Sequence, residues 1–193
     1  MYAQFECLLL ILPLLTTLAT STRFHSRPEF SHQELLMDDD QGQTISDVIG
    51  GNEDIAIFTG FTRDVSSVSA RFESTSKNVT VLAPQDSAIK ALPRKPWEDL
   101  KDYSAFGANA YDGQSGVDRA QQNLQRFVEA HVVGKSPWKE HEKVETLGGD
   151  TVWYESREGV KYVQPGNIEV LHVADKVTNG EVWVLKGVRN YAA

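Results

Sequence analysis

The chain has 193 residues, with 19 lysines and arginines against 27 aspartates and glutamates and a formal net charge of −8. At 40% hydrophobic and 24% charged it has the apolar content to pack one domain core, which excludes a disordered chain. The acidic balance leaves no basic stripe for nucleic acid or an anionic membrane surface, and one cysteine builds neither a disulfide framework nor a zinc cluster.

Residues 7–19 read CLLLILPLLTTLA, mostly apolar and broken by Pro13. A membrane-spanning helix takes about 20 such residues, so the run is too short to span a bilayer and fits the apolar region of a signal peptide. Small residues follow at Thr17-x-Ala19 or Ala19-x-Ser21, which predicts cleavage of residues 1–19, although the preceding stretch carries Glu6 and no lysine or arginine. Cleavage would remove Cys7 and leave stability to the core alone. The last residues contain no apolar run of the about 10–20 that a lipid-anchor signal requires, so neither an anchor nor a transmembrane segment is expected. The predicted destination is the secretory pathway, ending outside the cell, in the cell wall or in a vacuole lumen.

Residues 20–43 show no period of 3.6 or 2 and read as a polar flexible arm. Asp38-Asp39-Asp40 lacks the alternating oxygen ligands and turn glycine of a calcium loop, so it reads as a solvated charge run. A single domain is expected over residues 44–193. Thr44 and Asp47 suit the start of a helix with Ile45, Val48 and Ile49 on one face, stopped by Gly50-Gly51. A second short helix is expected around Ile55 and Phe58, closed by Gly60, and a third capped by Asp64 with Val65, Val68 and Phe72 inward.

Residues 78–83 alternate as a strand, Val79 and Val81 facing one way and Thr80 and Leu82 the other, ended by Pro84. Asp86 should start a helix with Ile89 and Leu92 inward. Residues 93–116 read mainly as loop, with one amphipathic turn at Trp97, Leu100 and Tyr103. The longest helix is expected over residues 117–132, burying Ala120, Leu124, Phe127, Val128 and His131. Strands follow at 144–147, 151–155, 160–164, 168–173 and 182–185, and Asn179-Gly180 signals a type I′ hairpin. Helices first and strands last give an α+β fold with a largely antiparallel sheet.

No motif for catalysis survives inspection. The stretch Val133-Gly134-Lys135-Ser136 resembles the end of a phosphate loop, but Glu129 stands where that loop needs glycine. Gly113-Gln114-Ser115-Gly116 places its second glycine one position too early for a nucleophile elbow. His141 is not in a zinc-protease motif, and His172 is isolated on a strand. His131, ending the apolar face of the long helix, reads as a hydrogen-bonded core residue rather than a catalytic or binding one. No catalytic residue, metal ligand or cofactor is therefore nominated. Asn78-Val79-Thr80 is the sole N-x-Ser/Thr of the chain and is expected to be glycosylated in a lumen; the competing reading is a turn residue followed by a strand former.

Three segments in order carry a resemblance to the fasciclin domain. The first is Thr80 through Ile89, with Ala83-Pro84-Gln85-Asp86 at its centre. The second surrounds His131 at residues 127–133, and the third is Thr178-Asn179-Gly180 with its valine-rich strand. The resemblance covers residues 44–191 and is strongest with the small single-domain fasciclin-like proteins of filamentous fungi. It implies a wedge-shaped β-sandwich with N-terminal and central helices packed around it, and an adhesion or extracellular interaction role without catalysis. It also implies that Pro84, Asp86, His131, Asn179 and Gly180 are structural motif residues, His131 as a core hydrogen-bonding group. Ala130 replaces the tyrosine of the Tyr-His pair tied to receptor binding in animal members, and Asp175-Lys176 replaces an Asp-Ile pair, so receptor binding does not carry over.

The expected partner is a cell-wall polysaccharide, a wall protein or a second copy. The alternative is a vacuolar or secreted small-ligand-binding protein or hydrolytic enzyme, with a pocket near residues 93–116 lined by Trp97, Tyr103 and Tyr111.

Overall fold

The computed structural model describes residues 42–191. The expected leader at 1–19, nearly all of the arm at 20–43 and the Asp38-Asp39-Asp40 run lie outside the described residues. Helix α1 (Ile45–Val48) starts where Thr44 donates both its N–H and its hydroxyl to the Asp47 carboxylate, at 2.7 and 2.8 Å. Two 3₁₀ turns lead into α2 (Ala56–Asp64) and α3 (Ser66–Glu73). Gly60 does not close the second helix as expected; α2 runs through it, because Phe58, Thr59 and Thr62 on either side are buried and outweigh one glycine's cost of about 1 kcal/mol. Asp64 does not cap the third helix either. It ends α2, and extended Val65 forms the break, while Val65, Val68 and Phe72 are buried at the spacing expected.

Strand β1 (Val79–Pro84) is buried along its whole length and leads through Gln85 into α4 (Asp86–Lys90). Residues 93–116 hold more helix than their turn-rich composition suggests: α5 (Leu100–Phe106), a 3₁₀ turn, and the start of α6 (Gly113–Ala130). The early start of α6 depends on Gly116, where an added Cβ would lie 2.1 Å from the Tyr111 carbonyl carbon. Only glycine lets the preceding loop fold back so closely. The helix ends at Ala130, and Val132, expected to end it, pairs up with Val133 as β2 (Val132–Val133) instead.

The remaining strands are β3 (Val144–Glu145), β4 (Thr151–Arg157), β5 (Val160–Gln164), β6 (Ile168–Val177) and β7 (Gly180–Leu185). The sheet order is β2-β1-β7-β6-β5-β4-β3, antiparallel except for the pairing of β1 with β7. Its two ends meet: Val133 bridges to Thr146, and Leu147 N–H donates to Val132 O at 2.7 Å. The sheet is thus rolled, sandwich-like and nearly a barrel, and the fold is α+β.

The hairpin between β6 and β7 turns at Thr178-Asn179, not at Asn179-Gly180, and neither turn residue has positive φ. It is therefore not type I′. That geometry belongs to Glu158 and Gly159, at φ 53° and 83°, between β4 and β5.

Alternation along the central strands divides the interior into two cores. Val79, Val81 and Ala83 of β1, with Val182 and Val184 of β7, pack with Ile45, Phe58, Val68, Phe72 and Phe127 from the helices. Leu82, Trp183 and Leu185 face the other way and pack with Trp138, Val152, Tyr154 and Val163 inside the rolled strands. Trp138 and Trp183 stack at 5.2 Å, with Tyr154 edge-on to both.

Candidate functional site

His131 follows the last turn of α6 and is fully enclosed by Phe58, Phe127 and neighbouring backbone. Its Nδ1 lies 2.7 Å from Phe127 O, and its Nε2 accepts the backbone N–H of Arg189 at 3.1 Å. One nitrogen must donate and the other accept, so the imidazole is neutral with its proton on Nδ1. Burial is the main reason its pKa falls to about 3; the Phe127 carbonyl opposes the shift and the Arg189 charge adds to it. Arg189 is itself buried and donates through its guanidinium to Ala130 O. Both ring nitrogens are occupied, so this histidine has no free atom for a substrate or a metal.

The other motif residues are turned inward as well. Asn179 is fully buried: its Oδ1 accepts Ile45 N–H at 2.8 Å, and its amide donates to Phe72 O at 2.7 Å and Ser74 O at 3.1 Å. One side chain therefore ties the start of α1 and the end of α3 to the β6–β7 hairpin. Gly180 beside it cannot be replaced without moving backbone, since an added Cβ would sit 1.8 Å from Val79 O. Asp86 Oδ1 accepts Ile57 N–H at 2.9 Å and so joins the start of α2 to α4, while Pro84 ends the buried strand. Asn78, in contrast, is exposed just before β1.

The insertion at residues 93–116 is organised by a polar side chain that hydrophobic periodicity overlooks. Asn123 is buried on α6, and its amide donates to Trp97 O at 3.0 Å and to Asp102 Oδ2 at 2.8 Å. Asp102 also accepts Tyr111 O–H at 2.9 Å, and Tyr111 in turn accepts Asp99 N–H at 2.6 Å. The bond from Asn123, first, and then that from Tyr111 hold the Asp102 carboxyl below its usual range against burial. Tyr103 packs edge-on against Tyr111, and Trp97 against Phe61.

Trp97, Tyr103 and Tyr111 thus brace the insertion and do not converge on an open pocket. The cavity beside them has about 110 Å³ and is lined by Arg94, Asp99, Asn123, Arg126 and Tyr191 among others. That is below the roughly 300–1,000 Å³ of typical ligand sites. A shallower groove of about 540 Å³ separates Glu53 and Asp54 from the bulged stretch His172 to Asp175 of β6. Lys176 pairs with Glu181 at 3.2 Å, and His141 is exposed. No group of three or more His, Cys, Asp and Glu side chains among the described residues is placed to hold a metal ion. No helix among them is long and apolar enough to cross a membrane.

Apart from Leu171 on β6, the large exposed apolar side chains of the described residues, Trp97, Leu100, Phe106 and Val117, lie in the insertion and the first turns of α6. No residue of α5 is buried; Leu100 is 55% exposed, Phe106 53% and Val117 48%. Arg119 lies over the Phe106 ring at 4.2 Å while donating to Ala110 O at 2.8 Å, which fixes the ring at the surface. Chemically, the motif side chains Asp86, His131 and Asn179 are bound up in internal hydrogen bonds, while Leu100, Phe106 and Val117 leave apolar side chains open to solvent.

Comparison with known proteins places this arrangement. The Fasciclin domain pattern matches residues 55–188. A FAS1 domain-containing protein of Neurospora crassa is 58% identical over 147 residues, covering 76% of this chain and 64% of its own length. Similar proteins of Aspergillus fumigatus and Emericella nidulans are 52% and 50% identical over 148 residues, covering 76% of this chain and 63% and 62% of their own lengths. The chain therefore spans a little under two thirds of the length of these relatives. Among solved structures, a FAS1 domain pair from the insect cell adhesion molecule Fasciclin I is similar in fold, with a TM-score of 0.53 at 11% identity. That match covers 77% of this chain and 51% of the other.

Proposed function

The chain belongs to the Fasciclin domain family, and from that premise we propose a non-enzymatic role in adhesion or other extracellular interaction. In this reading residues 1–19 are a cleaved leader, 20–43 an arm, and 44–193 one domain delivered to the cell wall, the medium or a vacuole lumen. The observation that carries the reading is a separation of roles. The polar groups of the family motifs, Asp86, His131 and Asn179, are committed to internal hydrogen bonds, whereas Leu100 and Phe106 on the insertion and Val117 on α6 face solvent. Such a scaffold contacts a partner through its surface. The structural relative is named as a cell adhesion molecule, which supports the same direction.

Three partner classes fit: a wall polysaccharide, a wall protein and a second copy of the chain. Cosedimentation of the purified protein with isolated wall material, before and after deproteination, separates the first two. Sedimentation equilibrium of the protein alone reads out the third. Binding in the micromolar range by any of them is expected. Absence of all three would end the adhesion reading.

A further inference from the structure

We propose that Asn78 carries an N-linked oligosaccharide, and that it is attached before β1 joins the sheet. The proposal rests on the lumenal reading given above. Asn78 is exposed, one residue ahead of β1, and follows an exposed turn at residues 75–77. Its side chain makes no hydrogen bond with any described residue. The next residue, Val79, is fully buried with its N–H bonded to Asn179 O at 2.9 Å, so the backbone is fixed while the Asn78 amide points free of the core. A sugar on Nδ2 breaks no hydrogen bond of the folded protein among the described residues.

Thr80, the second half of the sequon, is placed in the opposite way. It is fully buried, its hydroxyl donates to Lys135 O at 2.8 Å, and the same oxygen accepts Trp138 Nε1–H at 3.1 Å. A transferase that reads N-x-Ser/Thr needs that hydroxyl, and in the folded protein it is out of reach. Topology supplies the interval in which it is open. β1 is flanked by β2, through Thr80 and Val133, and by β7, through Thr80 and Glu181. Both neighbours follow it in the chain, and the two hydroxyl partners lie 55 and 58 residues downstream. A chain emerging from its N-terminus therefore presents an extended, unpaired sequon until those segments arrive.

In the step itself, Asn78 Nδ2 attacks the anomeric carbon of an oligosaccharide carried on a lipid pyrophosphate. The N–C bond forms, the C–O bond to pyrophosphate breaks, the lipid pyrophosphate leaves with the electron pair, and Nδ2 loses one proton. Nothing is oxidised or reduced.

The test is translation of the full chain with endoplasmic-reticulum microsomes, once with its own N-terminus and once behind a proven cleavable leader. Protease-protected chain should run heavier, return to its bare mass with peptide N-glycosidase leaving an aspartate at position 78, and lose the shift in Asn78→Gln. Thr80→Ser should keep the shift. Purified, unmodified folded protein offered to solubilised transferase with lipid-linked oligosaccharide should incorporate sugar only at background level, and the same chain denatured should incorporate it freely. A protected chain without sugar in either arm overturns the glycan alone. An unprotected chain under its own N-terminus overturns the lumenal reading, with Asn78 still tested in the second arm. Equal modification of folded and denatured chains overturns the proposed order.

Discussion

The backbone N–H of Arg189 donates to Nε2 of His131 at 3.1 Å, joining the segment after β7 to the end of α6. The bond exists only with a neutral imidazole, and the buried Arg189 guanidinium beside it helps keep the ring neutral. Removing the ring strands the Arg189 N–H and the Phe127 carbonyl in the core. His131→Ala should therefore destabilise the protein by about 1–3 kcal/mol, read from urea midpoints. An unchanged midpoint would mean that the ring is solvated.

The same geometry sets a pH dependence. His131 has a folded pKa of about 3 against an ordinary 6.5, so below pH 6.5 the unfolded chain takes up a proton that the native chain refuses. Its contribution to stability is complete above pH 6.5 and is lost as pH falls toward 3, by at most about 1.4 kcal/mol per pH unit. The carboxyls of Asp47, Asp102, Glu142, Glu155 and Glu181, all held low, add their own losses as pH falls through the carboxylate range. Between pH 6.5 and about 5 the slope should belong to the histidine. Thermal melts across that interval should slope for the wild type and flatten for His131→Gln, whose amide does not titrate.

Thr80 should be intolerant of losing its hydroxyl. Thr80→Val leaves Trp138 Nε1–H and Lys135 O without their partner and should cost about 1–3 kcal/mol. Thr80→Ser keeps both bonds and loses one buried methyl, so about 1 kcal/mol is expected. Chemical denaturation of unglycosylated protein separates the two. A valine variant as stable as the serine variant would show that the hydroxyl bonds contribute nothing.

Two glycines should respond in opposite directions. At Gly180, with φ of 154° and Val79 O only 1.8 Å from an added Cβ, alanine must separate β1 from β7. Gly180→Ala should destabilise by more than about 4 kcal/mol or prevent folding. At Gly60, inside α2 with nothing within 4 Å of an added Cβ, Gly60→Ala should stabilise by about 0.5–1 kcal/mol. Melting temperatures that move together would contradict the assignment of these backbone environments.

How the sequence was readable follows from these residues. Val65, Val68 and Phe72 stand where periodicity places them because they face one apolar layer, and β1 alternates as expected because its two faces enter two different cores. Gly60 and Asp64 misled because local stop and cap signals are weak beside the burial of Phe58 and Thr62. Asn179 misled because its side chain bonds Ile45, Phe72 and Ser74, far away in sequence, and is thereby held out of the turn geometry that Asn-Gly favours in isolation. Asn123 was missed for the same reason. A buried amide on a helix has no hydrophobic signal, and its partners Trp97 and Asp102 come from a turn-rich stretch. The outward face of α5 became visible only once the buried face of the insertion was known.

In the proposed function the motif residues hold the fold while the insertion makes the contact. The most direct measurement is partner affinity beside melting temperature for two variants, Leu100→Ser/Phe106→Ser and His131→Gln, against the wild type. Weaker binding at an unchanged melting temperature is expected for the first, and a lower melting temperature with unchanged affinity of the folded protein for the second. Full affinity in the first variant, or lost affinity in a fully folded second variant, would contradict it.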